Sequence, residues 1–191
     1  MILDRPGFAD PTTDAQACFR ALLDAMSRPG TLREAGRGLR PPPPMAPATA
    51  AALLTLADGE TPLWLDEPLA PAWDWFAFHC GAARAVKPDQ AVFACATRMP
   101  PLTTLSPGSD AGPEESVTLI LQVPTLSLGR PYRLLGPGLL TPASLAVAGL
   151  PDDFAKQWAA NHALYPRGVD VVLCAGEQLC ALPRSVRIEE I

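Results

Sequence analysis

The sequence is poor in charge, and poorest in lysine. Only 18% of its 191 residues are Asp, Glu, Lys or Arg, whereas about 25% is typical of globular proteins. Lys87 and Lys156 are the two lysines, beside 13 arginines. The net charge of −5 excludes the basic balance of a nucleic-acid binder, and 48% hydrophobic residues exclude a disordered chain. Two explanations of the low charge stay open: genomic base composition, and a surface partly covered by other subunits.

Long hydrophobic runs are also missing. Charged residues interrupt the first 25 positions, so no signal-peptide core is predicted there. The longest uncharged stretch, 134–151, contains Gly136, Pro137, Gly138, Pro142 and Gly149, so it does not predict a spanning helix. We therefore expect no membrane segment.

The five cysteines exclude two further classes of protein. Their number is odd and no CxxC occurs, which argues against a disulfide framework and against a zinc knuckle. Cys95 and Cys174 lie in apolar runs, where free cysteines behave as small buried hydrophobes. This usage indicates a reducing cytoplasm.

Helix and strand patterns alternate along the chain. A length of ~100–200 residues is typical of one domain, and we expect a single domain over 1–191. The apolar spacing predicts helices at 13–27, 48–58, 70–80 and 152–162, and strands at 63–65, 91–96, 117–123, 169–174 and 178–182. A partner of strand 117–123 is expected at 126–135. The class is α/β, with a mixed β-sheet sandwiched by helices.

The first predicted helix has clear start and stop signals. Thr13 and Gln16 have the spacing of a capping box, and Pro29-Gly30 stops the helix. Its apolar face is predicted to consist of Phe19, Leu22, Leu23 and Met26. Two regions between the predicted elements are irregular. The Pro-rich connector at 41–47 is expected to pack against the protein. The loop at 99–116 is long, and loops of that length are often functional or mobile.

The common cofactor and catalytic signatures are absent from the sequence. Gly136-Pro137-Gly138 follows a strand but lacks the remainder of a dinucleotide fingerprint, and a simple turn explains it better. Pyridoxal phosphate needs a lysine, and neither Lys87 nor Lys156 lies in an apolar setting. The two histidines do not have the spacing of a metal site. His162 lies at the carboxyl end of a predicted helix, where a partial positive charge is favourable, so we expect a structural role for it. We therefore predict no cofactor, no metal and no catalytic residue.

Six residues remain as candidates for binding a ligand or a partner. His79 ends an apolar helix, where a core or capping role is the alternative. Arg28 is the first residue of an arginine cluster at 28–40. The cluster could bind phosphate or an acidic partner, and the alternative is a solvated loop with no ligand. Thr104, Ser106 and Gly108 in loop 103–109 could offer hydroxyls and amides to an anion, or are ordinary loop chemistry. Arg184 completes the set.

Seven patches give the chain a resemblance to a known family. They are 16–30, 53–58, 61–65, 78–79, 114–126, 165–170 and 181–185. Together they resemble the PhnH family, the H subunit of the bacterial carbon–phosphorus lyase core complex, across essentially the whole chain. The segments 28–40 and 41–47 are richer in arginine and in proline than expected for that family.

The resemblance implies a fold and a set of partners. The fold would be like the large domain of pyridoxal-phosphate transferases, without that cofactor. The chain would form a homodimer and would assemble with the G, I and J subunits. That complex makes ribose 1-(alkylphosphonate) 5-triphosphate from ATP and an alkylphosphonate, with release of adenine. The resemblance further implies that another subunit displaces the adenine base. This chain is therefore expected to be an accessory subunit.

Three hypotheses about function follow from the sequence. The first is the accessory subunit of this phosphonate-activating complex. The second is a stand-alone small-molecule or nucleotide-binding enzyme that uses the His79 region, loop 103–109 and Arg28. The third is a generic α/β interaction domain. The first hypothesis also predicts an uncharged apolar patch of the standard ~800 Å² per partner on a two-fold axis.

Overall fold

The computed structural model describes residues 5–191. This part of the chain contains four α-helices: α1 (Pro11–Ser27), α2 (Pro47–Leu56), α3 (Trp73–Cys80) and α4 (Phe154–His162). It also contains nine strands: β1 (Arg33–Glu34), β2 (Leu63–Leu65), β3 (Phe93–Ala96), β4 (Thr118–Gln122), β5 (Thr125–Leu135), β6 (Ala143–Ala148), β7 (Asp170–Ala175), β8 (Gln178–Leu182) and β9 (Arg187–Glu190). No helix in this range is both long enough and apolar enough to cross a membrane.

Six strands form a central mixed sheet in the order β1-β8-β7-β4-β3-β2. The strands β2, β3, β4 and β7 are parallel, whereas β8 runs antiparallel to β7 and β1 antiparallel to β8. Parallel strands that are covered on both faces have continuous apolar runs. This explains why Leu119, Ile120 and Leu121 of β4 are all buried. The α/β class and the mixed sheet are confirmed.

Three further strands form a small antiparallel sheet in the order β6-β5-β9. The prediction that 126–135 pairs with the strand at 117–123 is therefore wrong. Strand β5 does follow β4 closely, but both edges of β4 are already occupied by the parallel strands β3 and β7. The chain therefore leaves the central sheet at Val123-Pro124 and builds a second one.

Each face of the central sheet has its own apolar cluster, because side chains alternate along a strand. Cys95, Ile120 and Val172 point to the face covered by α1, α2 and α3, which we call the helical face. Ala94 and Leu119 point to the opposite face, covered by the small sheet, α4 and the turn at 102–105, which we call the mixed face. The predicted helical sandwich is therefore right for one face, whereas on the other a sheet replaces most of the helices.

Helix α1 begins earlier than predicted because Asp10, not Thr13, caps it. The carboxylate of Asp10 accepts a hydrogen bond from the Thr13 backbone N–H at 3.1 Å, and Pro11 occupies a first-turn position where no N–H is needed. The bonds to this carboxylate lower its pKa. An exposed acid is thus the start signal of this helix.

The buried face of α1 also differs from the predicted one. Cys18, Leu22 and Ala25 are buried, whereas Phe19 and Leu23 are 46% and 53% exposed. The small Cys18 and Ala25 side chains allow α1 to lie close to α2 and β8. The predicted face is therefore right for Leu22, which is buried, and for Met26, which packs against the core, and wrong for Phe19 and Leu23.

Helices α2 and α3 pack the rest of the helical face. Helix α2 is an alanine-rich helix whose residues Ala48 to Leu53 are all buried. In α3, Phe76 is buried as predicted, whereas Trp75 takes the second buried position and Trp73 and His79 are only partly buried. A 3₁₀ turn at Ala70–Ala72 precedes α3 and delays its start.

The β7–β8 hairpin is confirmed, with Gly176 in the left-handed region at φ 57°. Three strands escaped prediction. Strand β6 is half alanine, which is depleted in strands. Strand β9 is mostly charged and β1 has two residues. These strands form because neighbouring strands pair with them, and not because their own residues favour the strand conformation.

Candidate functional site

Three strand ends converge at the amino edge of the parallel strands. Ser116 lies just before β4, Asp170 is the first residue of β7, and Arg184 follows β8. Strand β8 is antiparallel to β7, so its last residue, Leu182, lies beside Val171. This topology places the Arg184 guanidinium next to the Asp170 carboxylate.

The guanidinium of Arg184 is fully engaged in this cluster. Its Nε donates to both Asp170 oxygens at 3.2 and 3.1 Å. Its Nη2 donates to Asp170 Oδ2 and to Ser116 Oγ, both at 2.6 Å, and Nη1 donates to the Pro113 carbonyl at 2.6 Å. The two ionised side chains are only 16% and 14% exposed. A buried charge requires such partners, so Arg184 anchors a loop and presents no free cation.

The carboxyl end of α4 is tied to the same edge of the sheet. Asn161 donates to the Val169 carbonyl at 2.9 Å and accepts from the Val169 N–H at 2.8 Å. The His162 Nδ1 donates to the Arg184 carbonyl at 2.9 Å. Asn161 therefore fixes α4 against the start of β7, and His162 fixes it against the segment after β8, which agrees with the structural role expected for His162.

A groove of about 590 Å³ separates α4 from the loop at 101–107. Its lining is mostly apolar, with Leu102, Leu105 and Leu164 among its residues, and Lys156 and Asp153 add one charge of each sign. The Leu102 N–H donates to Gln157 Oε1 at 3.1 Å, which joins the two walls. This groove suits an apolar group better than a phosphate.

Three of the candidate residues shape the loop beside the groove. Thr104 and Ser106 line a shallow depression that also includes Lys87. The Thr104 hydroxyl donates to the Pro101 carbonyl at 2.7 Å, and Ser106 Oγ accepts from the Gly108 N–H at 3.4 Å. Gly108 has φ 76°, in the left-handed region that favours glycine. These residues hold the loop conformation.

His79 contacts the amino-terminal segment. Its Nε2 donates to the Arg5 carbonyl at 3.1 Å, and the same carbonyl accepts from Trp75 Nε1 at 2.9 Å. The rings of His79 and Trp75 meet edge to face, with centroids 4.8 Å apart. His79 is therefore half-buried on the helical face, where it holds residue 5.

Arg28 lies at the carboxyl end of α1. It forms an ion pair with Asp24, and Arg33 pairs with the same carboxylate. Arg37 pairs with Glu34 at 2.5 Å. The positive charge of the arginine cluster at 28–40 is thus partly neutralised by neighbouring acids.

The six candidates do not form one site. Arg184 and Gly108 both lie against Pro113, and Thr104 and Ser106 belong to the same loop, packed on the mixed face. His79 packs with Trp75 on the opposite, helical face, and Arg28 lies at the end of α1. A single pocket that uses His79, loop 103–109 and Arg28 is not present.

The carboxyl ends of the parallel strands, where α/β proteins commonly bind ligands, are occupied by the chain itself. Gln122, at the end of β4, accepts from the Ala46 N–H at 2.7 Å and donates to the Pro44 carbonyl at 2.9 Å. The Pro-rich connector therefore lies packed over β4, as expected. Beside it, Asp66 accepts from the Thr97 N–H and hydroxyl at 2.6 and 2.8 Å.

The cysteines lie in positions that disfavour the reactive thiolate form. Burial raises the pKa of Cys95 and Cys174, and raises that of Cys180 to about 12. All five cysteines are free thiols. Within residues 5–191, no three His, Cys, Asp or Glu side chains converge to hold a metal ion.

Sequence reasoning missed Asp170 and Ser116, which bond to Arg184, and Asn161, which ties α4 to Val169. One signal was present: Asp170 and Arg184 both lie in patches of the family resemblance. Only the tertiary structure shows that Asp170, Ser116 and Arg184 meet, because they are 14 and 68 residues apart in the chain.

Known proteins resemble this chain over nearly its whole length. The family described as bacterial phosphonate metabolism protein (PhnH) matches residues 6–189. The α-D-ribose 1-methylphosphonate 5-triphosphate synthase subunit PhnH of Rhizobium meliloti (strain 1021) is 39% identical over 187 residues, which are 95% of this chain and 94% of that protein. HtxG of Stutzerimonas stutzeri, which carries the name of a C-P lyase subunit protein, is 30% identical over 91% of this chain and 85% of its own length.

Proposed function

The chain belongs to the PhnH family of bacterial phosphonate metabolism proteins, and from this premise we propose that it is a subunit of a carbon–phosphorus lyase core complex. That complex forms ribose 1-(alkylphosphonate) 5-triphosphate from ATP and an alkylphosphonate, with release of adenine. The observation that carries the proposal is the match of 95% of this chain to 94% of a synthase subunit. A match from end to end supports the same role more strongly than a shared motif would.

We further propose that the chain is an accessory subunit rather than the catalytic one. The polar groups that sequence reasoning selected are used internally. Arg184 is saturated by Asp170, Ser116 and Pro113, and His79 holds the Arg5 carbonyl. A general base must reach the proton that it removes, and groups held in this way are poorly placed to do so. The alternative of a stand-alone enzyme loses support because His79 and loop 103–109 lie on opposite faces.

The proposed partners are a second copy of the chain and the G, I and J subunits. The surface supports such an assembly, because large apolar side chains are exposed on several elements. They include Phe19 and Leu23 on α1, Phe78 on α3, Leu128 on β5, and Leu140 and Tyr165 in loops. Exposed apolar surface is typical of proteins that associate. It also suits the low charge of the chain.

The remaining parts of the proposal concern the fold and the location. A fold related to the large domain of pyridoxal-phosphate transferases, with no cofactor bound, agrees with the surroundings of the two lysines: Lys87 and Lys156 are exposed on a loop and on α4. The two apolar clusters share one central sheet, which supports a single domain over 1–191. Five free cysteines support the cytoplasm as location.

The direct test is co-expression of the tagged chain with the G, I and J subunits. We expect the four proteins to copurify, and the purified complex to release adenine from ATP in the presence of methylphosphonate. The complex assembled without this chain should lose most of that activity, and the isolated chain should show none. Failure to copurify would contradict the proposal.

A variant separates the accessory role from a catalytic one. His79→Gln keeps a donor for the Arg5 carbonyl but removes the imidazole, so we expect adenine release by the complex to stay unchanged. A large loss of activity with normal assembly would assign the chemistry to this subunit instead.

A further inference from the structure

The outer edge of β6 is an unprotected strand edge. On one side β6 pairs with β5, and within residues 5–191 no strand pairs with the other side. An open edge presents unpaired N–H and C=O groups, which proteins usually guard with charges, prolines or very short strands. Strand β6 runs for six residues, Ala143–Ala148, and contains neither a charge nor a proline.

The other three sheet edges in the described range are guarded. Strand β1 has two residues, and both are charged. Strand β2 is covered by the segment 83–85, because Leu63 donates to the Ala83 carbonyl at 2.8 Å and accepts from the Ala85 N–H at 2.9 Å. Strand β9 carries Arg187, Glu189 and Glu190. The same chain therefore protects three edges and leaves the fourth open.

The pairing with β5 indicates which groups of β6 point outwards. Pro131 lies opposite Ala146 and has no N–H, so this pair cannot exchange both backbone hydrogen bonds. Pairs with and without such bonds alternate in an antiparallel ladder. The backbone groups of Ser144 and Ala146, which lie in the regular part of the ladder, are thereby directed away from β5, towards the open side.

We propose that a second copy of this chain pairs with β6 along this edge, antiparallel and about a two-fold axis at Ala146. This rests on the homodimer of the proposed function and adds the surface that forms it. With this axis Ala146 faces its own counterpart, Ser144 faces Ala148, and Leu145 faces Val147. The facing side chains are small on one side of the sheet and apolar on the other, and no charges oppose each other.

Two exposed leucines extend this self-complementary surface. Leu140 precedes β6 and is fully exposed, and Leu128 is 70% exposed in the irregular part of β5 beside the end of β6. In an antiparallel pair the start of one β6 lies beside the end of the other. Leu140 of one copy therefore lies towards the far end of the partner's β6, where it adds apolar surface to the backbone pairing.

The test is the dimer dissociation constant of wild type and of Ala146 variants, measured by sedimentation velocity. Ala146→Lys places two ammonium groups opposite each other at the axis, and we expect roughly a fivefold weaker dimer. Ala146→Pro removes the outward N–H of each copy, and we expect about a tenfold weaker dimer or more. Ala159→Lys, the same change at an exposed position of α4, should leave dissociation unchanged.

A mixing experiment excludes misfolding as the cause. In an equimolar mixture of Ala146→Lys and Ala146→Asp, opposite charges meet at the axis, so native mass spectrometry should show the mixed dimer exceeding the statistical proportion. A wild-type dimer whose dissociation is insensitive to all Ala146 changes would overturn the β6 interface and leave the homodimer standing. A wild-type monomer would overturn both, while copurification with the other subunits would still support the role in the complex.

Discussion

The two faces of the central sheet are built by different means. On the helical face, small residues of α2, Ala48 to Ala52, are buried against the strands, and Trp75 and Phe76 of α3 pack beside them. The mixed face is packed by large aromatic residues, among them Tyr132, Phe154 and Trp158, and by polar groups that fix loops. On the helical face, small side chains let α2 lie close to the strands. On the mixed face, hydrogen bonds from polar side chains hold the loops in place. Substitutions of matched residues near the two faces test this difference.

The largest contrast is expected between two arginine ion pairs. Arg184→Ala leaves the Asp170 carboxylate buried and releases the loop around Pro113, so we expect a loss of about 3–5 kcal/mol in the free energy of unfolding. Arg37→Ala removes an exposed pair with Glu34 and should cost about 0–1 kcal/mol. Urea denaturation measures both values.

The matched control for this pair is Arg184→Lys. Lysine keeps the charge but cannot reproduce the branched contacts to Asp170, Ser116 and Pro113. We therefore expect only partial rescue. Full stability in Arg184→Lys would mean that the charge alone matters and that the loop is held by other contacts.

A second contrast concerns two buried polar residues. Asn161→Ala leaves both the N–H and the carbonyl of Val169 without partners, and we expect a loss of about 2–4 kcal/mol in the free energy of unfolding. The Thr49 hydroxyl on α2 is buried without a hydrogen-bond partner. Thr49→Val should therefore leave stability unchanged or raise it slightly. A large loss in Thr49→Val would show that this hydroxyl does bond, and the contrast would disappear.

The smallest contrast is between two fully buried tryptophans. Trp158 donates to the Val186 carbonyl at 2.7 Å in the interior, whereas Trp75 donates to the carbonyl of Arg5 near the surface. Trp158→Phe leaves the buried Val186 carbonyl without a hydrogen-bond donor, and we expect a loss of about 1–3 kcal/mol in the free energy of unfolding. In Trp75→Phe, water and His79 still serve the Arg5 carbonyl, so we expect a smaller loss. Equal losses in thermal or urea unfolding would contradict this difference between the faces.

Local patterns in the sequence predicted most of the elements of the central sheet. The apolar run of β4 and the β7–β8 hairpin depend on residues that are near neighbours, so a short window contains the required information. The small sheet was not predictable in this way. The alanines of β6 and the charges of β9 have little intrinsic preference for strands, and β5 selects them as partners.

The candidate residues show the same division. The sequence singled out loop 103–109 and Arg184 as candidates for binding, because hydroxyls, backbone amides and an arginine can contact an anion. It could not show that Arg184 is consumed by Asp170 and Ser116, which lie 14 and 68 residues away in the chain. Nor could it show that His79 lies on the far side of the sheet from that loop.

The sequence by itself determined the α/β class, the low charge and the family, since these depend on composition, local periodicity and matches along the chain. Only the tertiary structure decided which of the apolar residues are buried. Phe19 and Leu23 stay exposed because the smaller Cys18 and Ala25 let α1 approach its neighbours. It also decided which strand edge is left open, because an edge is defined by the partners that a strand lacks.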